Sequence, residues 1–220
     1  MSEHVRGSLE TTRQMAREGD PIAQFQLGEQ LYENVWCDNA VRWYRKSAEQ
    51  GYAPAQHKLS LVLMDEAAPI GWLEEGKETF WNEARAWNAK AREQGNSPAI
   101  YELAQSYRYG KYFVLKVDMV KAVKLHKQAA SSGYPRSQLA LGNIYLEKAD
   151  NQGDVDYGLS CLISAANSGM KPAQKALARA FAGGQPGVAQ NVSMAREWLR
   201  QAENNTTTVE RNVMSWLTHN

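Results

Sequence analysis

Apolar residues recur along this chain in two helical patterns, each counted from a glycine. Forward from Gly51 the apolar or small positions are Ala55, Leu59 and Val62-Leu63. The same shape follows Gly19 (Ala23, Leu27, Leu31-Tyr32), Gly95 (Ala99, Leu103, Tyr107), Gly133 (Ser137, Leu141, Tyr145) and Gly169 (Ala173, Leu177, Phe181). Steps of three and four put these residues on one face of a helix. The residue after the Leu is always small, namely Gly28, Ser60, Ala104, Gly142 and Ala178. A glycine inside a helix costs about 1 kcal/mol relative to alanine, so its presence predicts a close helix crossing.

Backward from each glycine runs a second pattern. Ala40, Trp43, Ser47 and Ala48 precede Gly51, and Ala84, Trp87 and Ala91 precede Gly95. Ala122, Leu125, Ala129 and Ala130 precede Gly133, and Gly158, Cys161, Ala165 and Ala166 precede Gly169. Ala195, Trp198 and Ala202 keep the same offsets before Thr206, which marks a sixth boundary without its glycine. A bulky knob one turn from small residues predicts a second, nesting helix, with Trp43, Trp87 and Trp198 in the core. The glycines end the preceding helices, and Pro21, Pro54, Pro98, Pro135 and Pro172 fall in first turns, where a missing N–H is tolerated.

Successive anchor glycines are 32, 44, 38 and 36 residues apart, and self-similarity at such a period is the mark of a solenoid. The expected organisation is one array over 1–220, with a capping helix over 1–18, repeats over 19–205 and a second capping helix over 206–220. Ser8 to Glu18 has no complete upstream partner. Val213, Met214 and Trp216-Leu217 give the last stretch an apolar side, which serves equally as a cap or as a dimer contact, leaving monomer and dimer both open.

Composition narrows the function classes. Of the 220 residues, 43% are hydrophobic and 22% charged, with a net charge of +1, so nothing steers the whole chain to nucleic acid or an anionic membrane. The start, Met1 to Gly7, lacks the apolar run of a signal peptide, and no apolar stretch is long enough to span a bilayer. A cytoplasmic protein is the expectation. Cys37 and Cys161 lie in different repeats, too far apart for a disulfide, and are expected to be packing thiols.

Three phrases carry a family resemblance: Leu-Gly-Glu-Gln-Leu-Tyr (27–32), Trp-Tyr-Arg-Lys-Ser-Ala-Glu-Gln-Gly-Tyr-Ala-Pro-Ala-Gln (43–56) and Gly-Val-Ala-Gln-Asn-Val-Ser-Met-Ala-Arg-Glu-Trp-Leu (187–199). They resemble the Sel1-like repeat family over roughly residues 20–204. The resemblance implies an all-α, right-handed α/α superhelical solenoid of about five helix-pair repeats, whose concave face binds proteins. It does not extend to the cysteine-rich secreted branch, because the paired cysteines are missing.

Three segments depart from the repeat. The first is Asp65 to Phe80, within which Ala67 to Gly76 has no counterpart in the shorter copies, and insertions in repeat arrays map to loops on one face. Its Trp72 and Leu73 are candidate partner contacts, or they fold back over adjacent helix ends. Tyr107-Arg108-Tyr109-Gly110-Lys111-Tyr112-Phe113 packs four aromatics and two bases into seven residues. Tyr107 matches the repeat, but Tyr109, Tyr112 and Phe113 do not, and they are either partner contacts or turn packing. In Glu33 to Asp38 the linker between helices is short, and Trp36 is a wedge or an exposed contact.

No catalytic constellation is visible. His4, His57, His126 and His219 have no metal-ligand spacing, and no phosphate loop, nucleophile elbow or zinc-protease motif occurs. Gly183 to Gly187 falls in the turn between paired helices. The expectation is a non-enzymatic protein-interaction scaffold or adaptor without metal or cofactor. The resemblance also allows an immunity protein that neutralises a cognate bacterial toxin. Both classes bind a protein partner.

Overall fold

The computed structural model of the chain describes residues 3–34, 38–64, 77–111, 113 and 116–204. Among these are eleven α-helices: α1 (Glu3–Glu18), α2 (Pro21–Asn34), α3 (Asp38–Glu49), α4 (Ala53–Met64), α5 (Lys77–Glu93), α6 (Ser97–Tyr109), α7 (Met119–Ser131), α8 (Pro135–Glu147), α9 (Gln152–Asn167), α10 (Lys171–Arg179) and α11 (Val192–Asn204). A wide π-type turn, Ala180–Gly184, follows α10. No strand occurs among the described residues, and none of the described helices is long and apolar enough to cross a membrane. The packing forms two compact units, residues 1–122 and 123–220.

Every anchor glycine does what the sequence asks of it. Gly19, Gly51, Gly95, Gly133 and Gly169 take φ of 106°, 89°, 74°, 79° and 81°, a left-handed conformation that costs a residue with a Cβ. At each, the glycine N–H donates to the carbonyl three residues back and the following N–H to the carbonyl five back. At Gly51 these are Ala48 at 3.0 Å and Ser47 at 3.2 Å. The helix carbonyls are thereby satisfied, and the next helix starts within a few residues.

In the first unit, α2 packs on α3 and α4 on α5. The core gathers Tyr44, Leu59, Val62, Leu63, Ala84 and Trp87, and a smaller cluster joins Ala16, Ala23 and Leu27 to Trp43. In the second, α8 packs on α9 and α10 on α11 around Leu146, Leu162, Ala173 and Leu177. The helix crossings expected at the small residues are present. A Cβ on Gly28 would lie 2.6 Å from the Tyr44 ring, and one on Gly142 would lie 2.6 Å from Leu162. Those glycines let two backbones approach.

The tryptophan expectation holds in part. Trp87 is 9% exposed, but Trp43 and Trp198 are half-buried at the edges of their clusters. The deepest position is one residue later. Tyr44, Asn88, His126 and Leu162, each seven before a glycine, are at most 1% exposed. This position faces the small residue of its own first helix and also the next first helix. Asn88 Nδ2 donates to Ala99 O at 3.3 Å, and His126 Nδ1 lies 3.4 Å from Ser137 Oγ. A lysine one turn on lies over two of these rings: Lys46 stands 4.5 Å from the Trp43 ring centre and Lys90 4.1 Å from that of Trp87, a cation–π arrangement.

Glutamines join the repeats. Gln24, Gln56 and Gln174 each donate Nε2 to a carbonyl eight residues back (Ala16, Ala48, Ala166) at 3.1–3.2 Å. In the first unit the amide oxygens in turn accept from the end of the second helix of the same repeat, Gln24 from Gln50 and Gln56 from Gln94, both at 2.8 Å. Ile100 occupies the equivalent position after Gly95. A buried carbonyl at a helix end needs such a partner.

Candidate functional site

The chain leaves the repeat at Gly110. This residue caps α6 with φ 66°, donating its N–H to Ser106 O at 2.8 Å, and the Lys111 N–H reaches the same carbonyl at 3.3 Å. The next helix does not start until Met119. The far end of the connection is pinned to its beginning, because the Asp118 N–H donates to Tyr107 O at 2.8 Å. Asp118 also caps α7: its Oδ1 accepts the Lys121 N–H at 3.0 Å, and its Oδ2 lies 3.3 Å from Lys121 Nζ. The backbone hydrogen bond from Lys121 leads the effects that hold the Asp118 carboxyl below its usual range. Lys121 Nζ stands 5.3 Å from the Tyr107 ring centre, and Arg108 Cζ 5.2 Å from that of Tyr109. The C-terminal end of α6 and the first turn of α7 therefore form one surface.

That surface is apolar and basic. Tyr109 is 54% exposed, Val117 53% and Val120 81%. Lys111, Lys116 and Lys121 are exposed around them. Residues 107–122 hold four cations and one carboxylate, in a chain whose net charge is +1. Arg108 complements the C-terminal dipole of α6. Lys121 sits in a first turn, where a cation opposes the dipole, and a valine that stays exposed gains little from folding. The ion pair with Asp118 offsets that opposition for Lys121, but stability of α7 does not explain Val120.

Each residue singled out from the sequence can be placed. Tyr109 is on this surface. Phe113 is not: it is 8% exposed and packed into the first unit's core with Val62, Leu63 and Trp87. This corrects its reading as a surface contact, because a buried ring has no face left for a partner. Trp36, Trp72, Leu73 and Tyr112 lie outside the described residues, as do Cys37 and the stretch 206–220. The sequence reading missed Val117 and Val120, although Val-x-x-Val across a helix start was the available signal.

Titratable groups displaced from their ordinary values sit apart from this surface, Asp118 excepted. Burial pushes Glu83 up, but hydrogen bonds from Arg45 and Trp87 outweigh it and hold the carboxyl below its usual range. Arg45 pairs with both Glu83 oxygens, and Trp87 Nε1 donates at 3.0 Å, so α3 is tied to α5. Hydrogen bonds from Arg200 and Gln201 pull Glu197 down to about 2. Burial pushes Tyr157 up to about 12, and it raises the Cys161 thiol beside it. Each shift follows from burial or from hydrogen bonds along or between helices. Among the described residues no group of His, Cys, Asp and Glu is arranged to hold a metal ion.

The comparisons agree with this architecture. The Sel1 repeat model matches residues 21–34, 37–52, 97–134 and 171–205. A Sel1 repeat protein from Oxalobacter formigenes is 28% identical, with a TM-score of 0.72 over 88% of this chain and 75% of its own. A protective antigen of uropathogenic Escherichia coli with an SLR fold, c5321, is also 28% identical, with a TM-score of 0.71 over 89% of this chain and 40% of its own. An uncharacterized protein of Neisseria meningitidis serogroup B, NMB1327, is 28% identical over 171 residues, which is 77% of this chain and 33% of that protein. The chain thus spans a third of the length of the curated relative it matches. With its helix pairs, left-handed glycines and small residues at each crossing, the chain belongs to the Sel1 repeat family.

Proposed function

We propose that this chain is a non-enzymatic protein-interaction scaffold and that its partner engages the surface where the repeat breaks. One observation carries the reading: Tyr109, Val117 and Val120 are more than half exposed on a segment that neither the repeat nor helix stability requires. Exposed apolar residues grouped beside cations mark binding surfaces more often than scattered ones do. Tyrosine is also among the residues that carry binding energy at interfaces. The dispersed, locally explained titratable groups support a binding role over catalysis.

Affinity capture from native lysate tests this, comparing wild type with Tyr109→Ser/Val120→Ser while both melting temperatures are recorded. A stoichiometric protein partner, lost in a variant that melts like wild type, is the expected result. A partner retained unchanged would move the site to another face, and no stoichiometric protein at all would overturn the scaffold reading.

A further inference from the structure

We infer that the occupant of this surface is an acidic segment of a partner protein that also carries bulky apolar side chains. The inference rests on the interaction-scaffold reading and gives that partner its chemistry. The first argument is charge. Arg108, Lys111, Lys116 and Lys121 crowd into residues 107–122 against Asp118 alone. The remaining residues of the chain therefore carry a net negative charge. Like charges gathered this way repel one another in the free protein, and an acidic ligand relieves that repulsion while being steered toward it.

The second argument is the apolar component. Tyr109, Val117 and Val120 stand among those cations, exposed at 54%, 53% and 81%. A bare polyanion would leave them wet, whereas a peptide alternating carboxylates with leucine-sized side chains covers both. Nucleic acid fits less well. It calls for a strongly basic domain, while this chain has a net charge of only +1. The two ends of the segment are also joined, with Asp118 bonded to Tyr107 and Lys121 set against that ring. That leaves less ordering to oppose binding.

The test uses the full chain and two fluorescein-labelled peptides, one alternating Glu and Leu, the other with Gln in place of Glu. Anisotropy titrations at low salt should show the Glu peptide binding and the Gln peptide about tenfold weaker or worse, with the Glu affinity falling as salt rises. Lys111→Glu/Lys116→Glu should weaken the Glu peptide by about tenfold or more, since two attractions become repulsions. Lys175→Glu/Arg196→Glu, the same charge change placed elsewhere, should leave binding within about twofold.

Equal binding of the two peptides, or of neither, overturns the inference. So does an equal loss in the control variant, or a single-stranded oligonucleotide or anionic vesicle that competes more strongly than the Glu peptide. If the peptides fail while lysate capture still depends on Tyr109 and Val120, the scaffold reading stands and only the acidic partner is wrong. If both fail, both readings fall.

Discussion

Two helix ends in the first unit finish on a left-handed glycine and then behave differently. At Gly51 the chain turns straight into α4, and its neighbours are buried or bonded: Ala48 gives its carbonyl to Gln56, and Gln56 accepts from Gln94. At Gly110 the cap is just as regular, with the glycine N–H on Ser106 O. Yet the next helix waits until Met119, and Tyr109 just before the glycine and Val117 after it face water. Folding accounts for the first end completely. At the second it accounts for the pinned backbone, for Phe113 and for the Lys121–Asp118 pair, and it leaves Tyr109, Val117, Val120, Lys111 and Lys116 without a structural task. Residues with no task in folding are where a task in binding is best sought.

Breaking the regular crossings should have the largest effect. Gly28→Val places carbon against the Tyr44 ring, and that ring cannot swing away, because the Tyr44 hydroxyl donates to Glu29 at 2.5 Å and the side chain is fully buried. A loss of about 1–3 kcal/mol is expected, measured by denaturant unfolding. Next comes the seam itself. Gln56→Ala leaves the Ala48 carbonyl with the Gly51 N–H alone and returns the exposed Gln94 amide to water, for about 1 kcal/mol. The same substitution at Gln138, which makes no such hydrogen bond to Ala130, should cost less.

The Arg45–Glu83 tie is comparable. The Glu83 carboxyl is held below its ordinary value in the fold, so its contribution is complete above the unfolded-state pKa. That contribution is lost as pH falls through the folded-state value. Glu83→Gln should therefore cost about 1 kcal/mol at neutral pH. The gap in melting temperature from wild type should close as pH drops through and below the carboxylate range. A gap that widens in acid would show the sign to be wrong. At the far end of the scale, Tyr109→Ser and Val120→Ser should change stability by less than about 0.5 kcal/mol. A larger loss would place them in the packing and erase the contrast between the two glycines.

Much of the fold was legible because glycine and small residues recur at fixed offsets, and those offsets are backbone requirements. Five anchor glycines, the small residue after each Leu, and the helix pairs all followed from that regularity. The deepest position did not. Tyr44, Asn88, His126 and Leu162 share a place but no chemistry, so no residue pattern flagged it. The polar members survive burial because the next helix offers Ala99 O and Ser137 Oγ. The tryptophans one residue earlier drew attention by size, although Trp43 relies on a lysine to cover its ring. At the candidate site Tyr109 was visible as a residue the repeat did not need. Phe113 looked identical in sequence, because an aromatic that fills a turn and one that faces water differ only in where the chain folds them.

The glutamine seam bears on how such a chain can change length. Gln24 and Gln56 sit at the same offset from their glycines, and so do their donors Gln50 and Gln94. A whole repeat cut out or copied in, with its ends at those glycines, would bring a donor and an acceptor back into register at the new joint. Ile100 breaks that interchangeability, since it has no amide to donate to the helix-end carbonyl across its joint. The joints at Gly19 and Gly51 are thus interchangeable in this respect, and the joint at Gly95 is not.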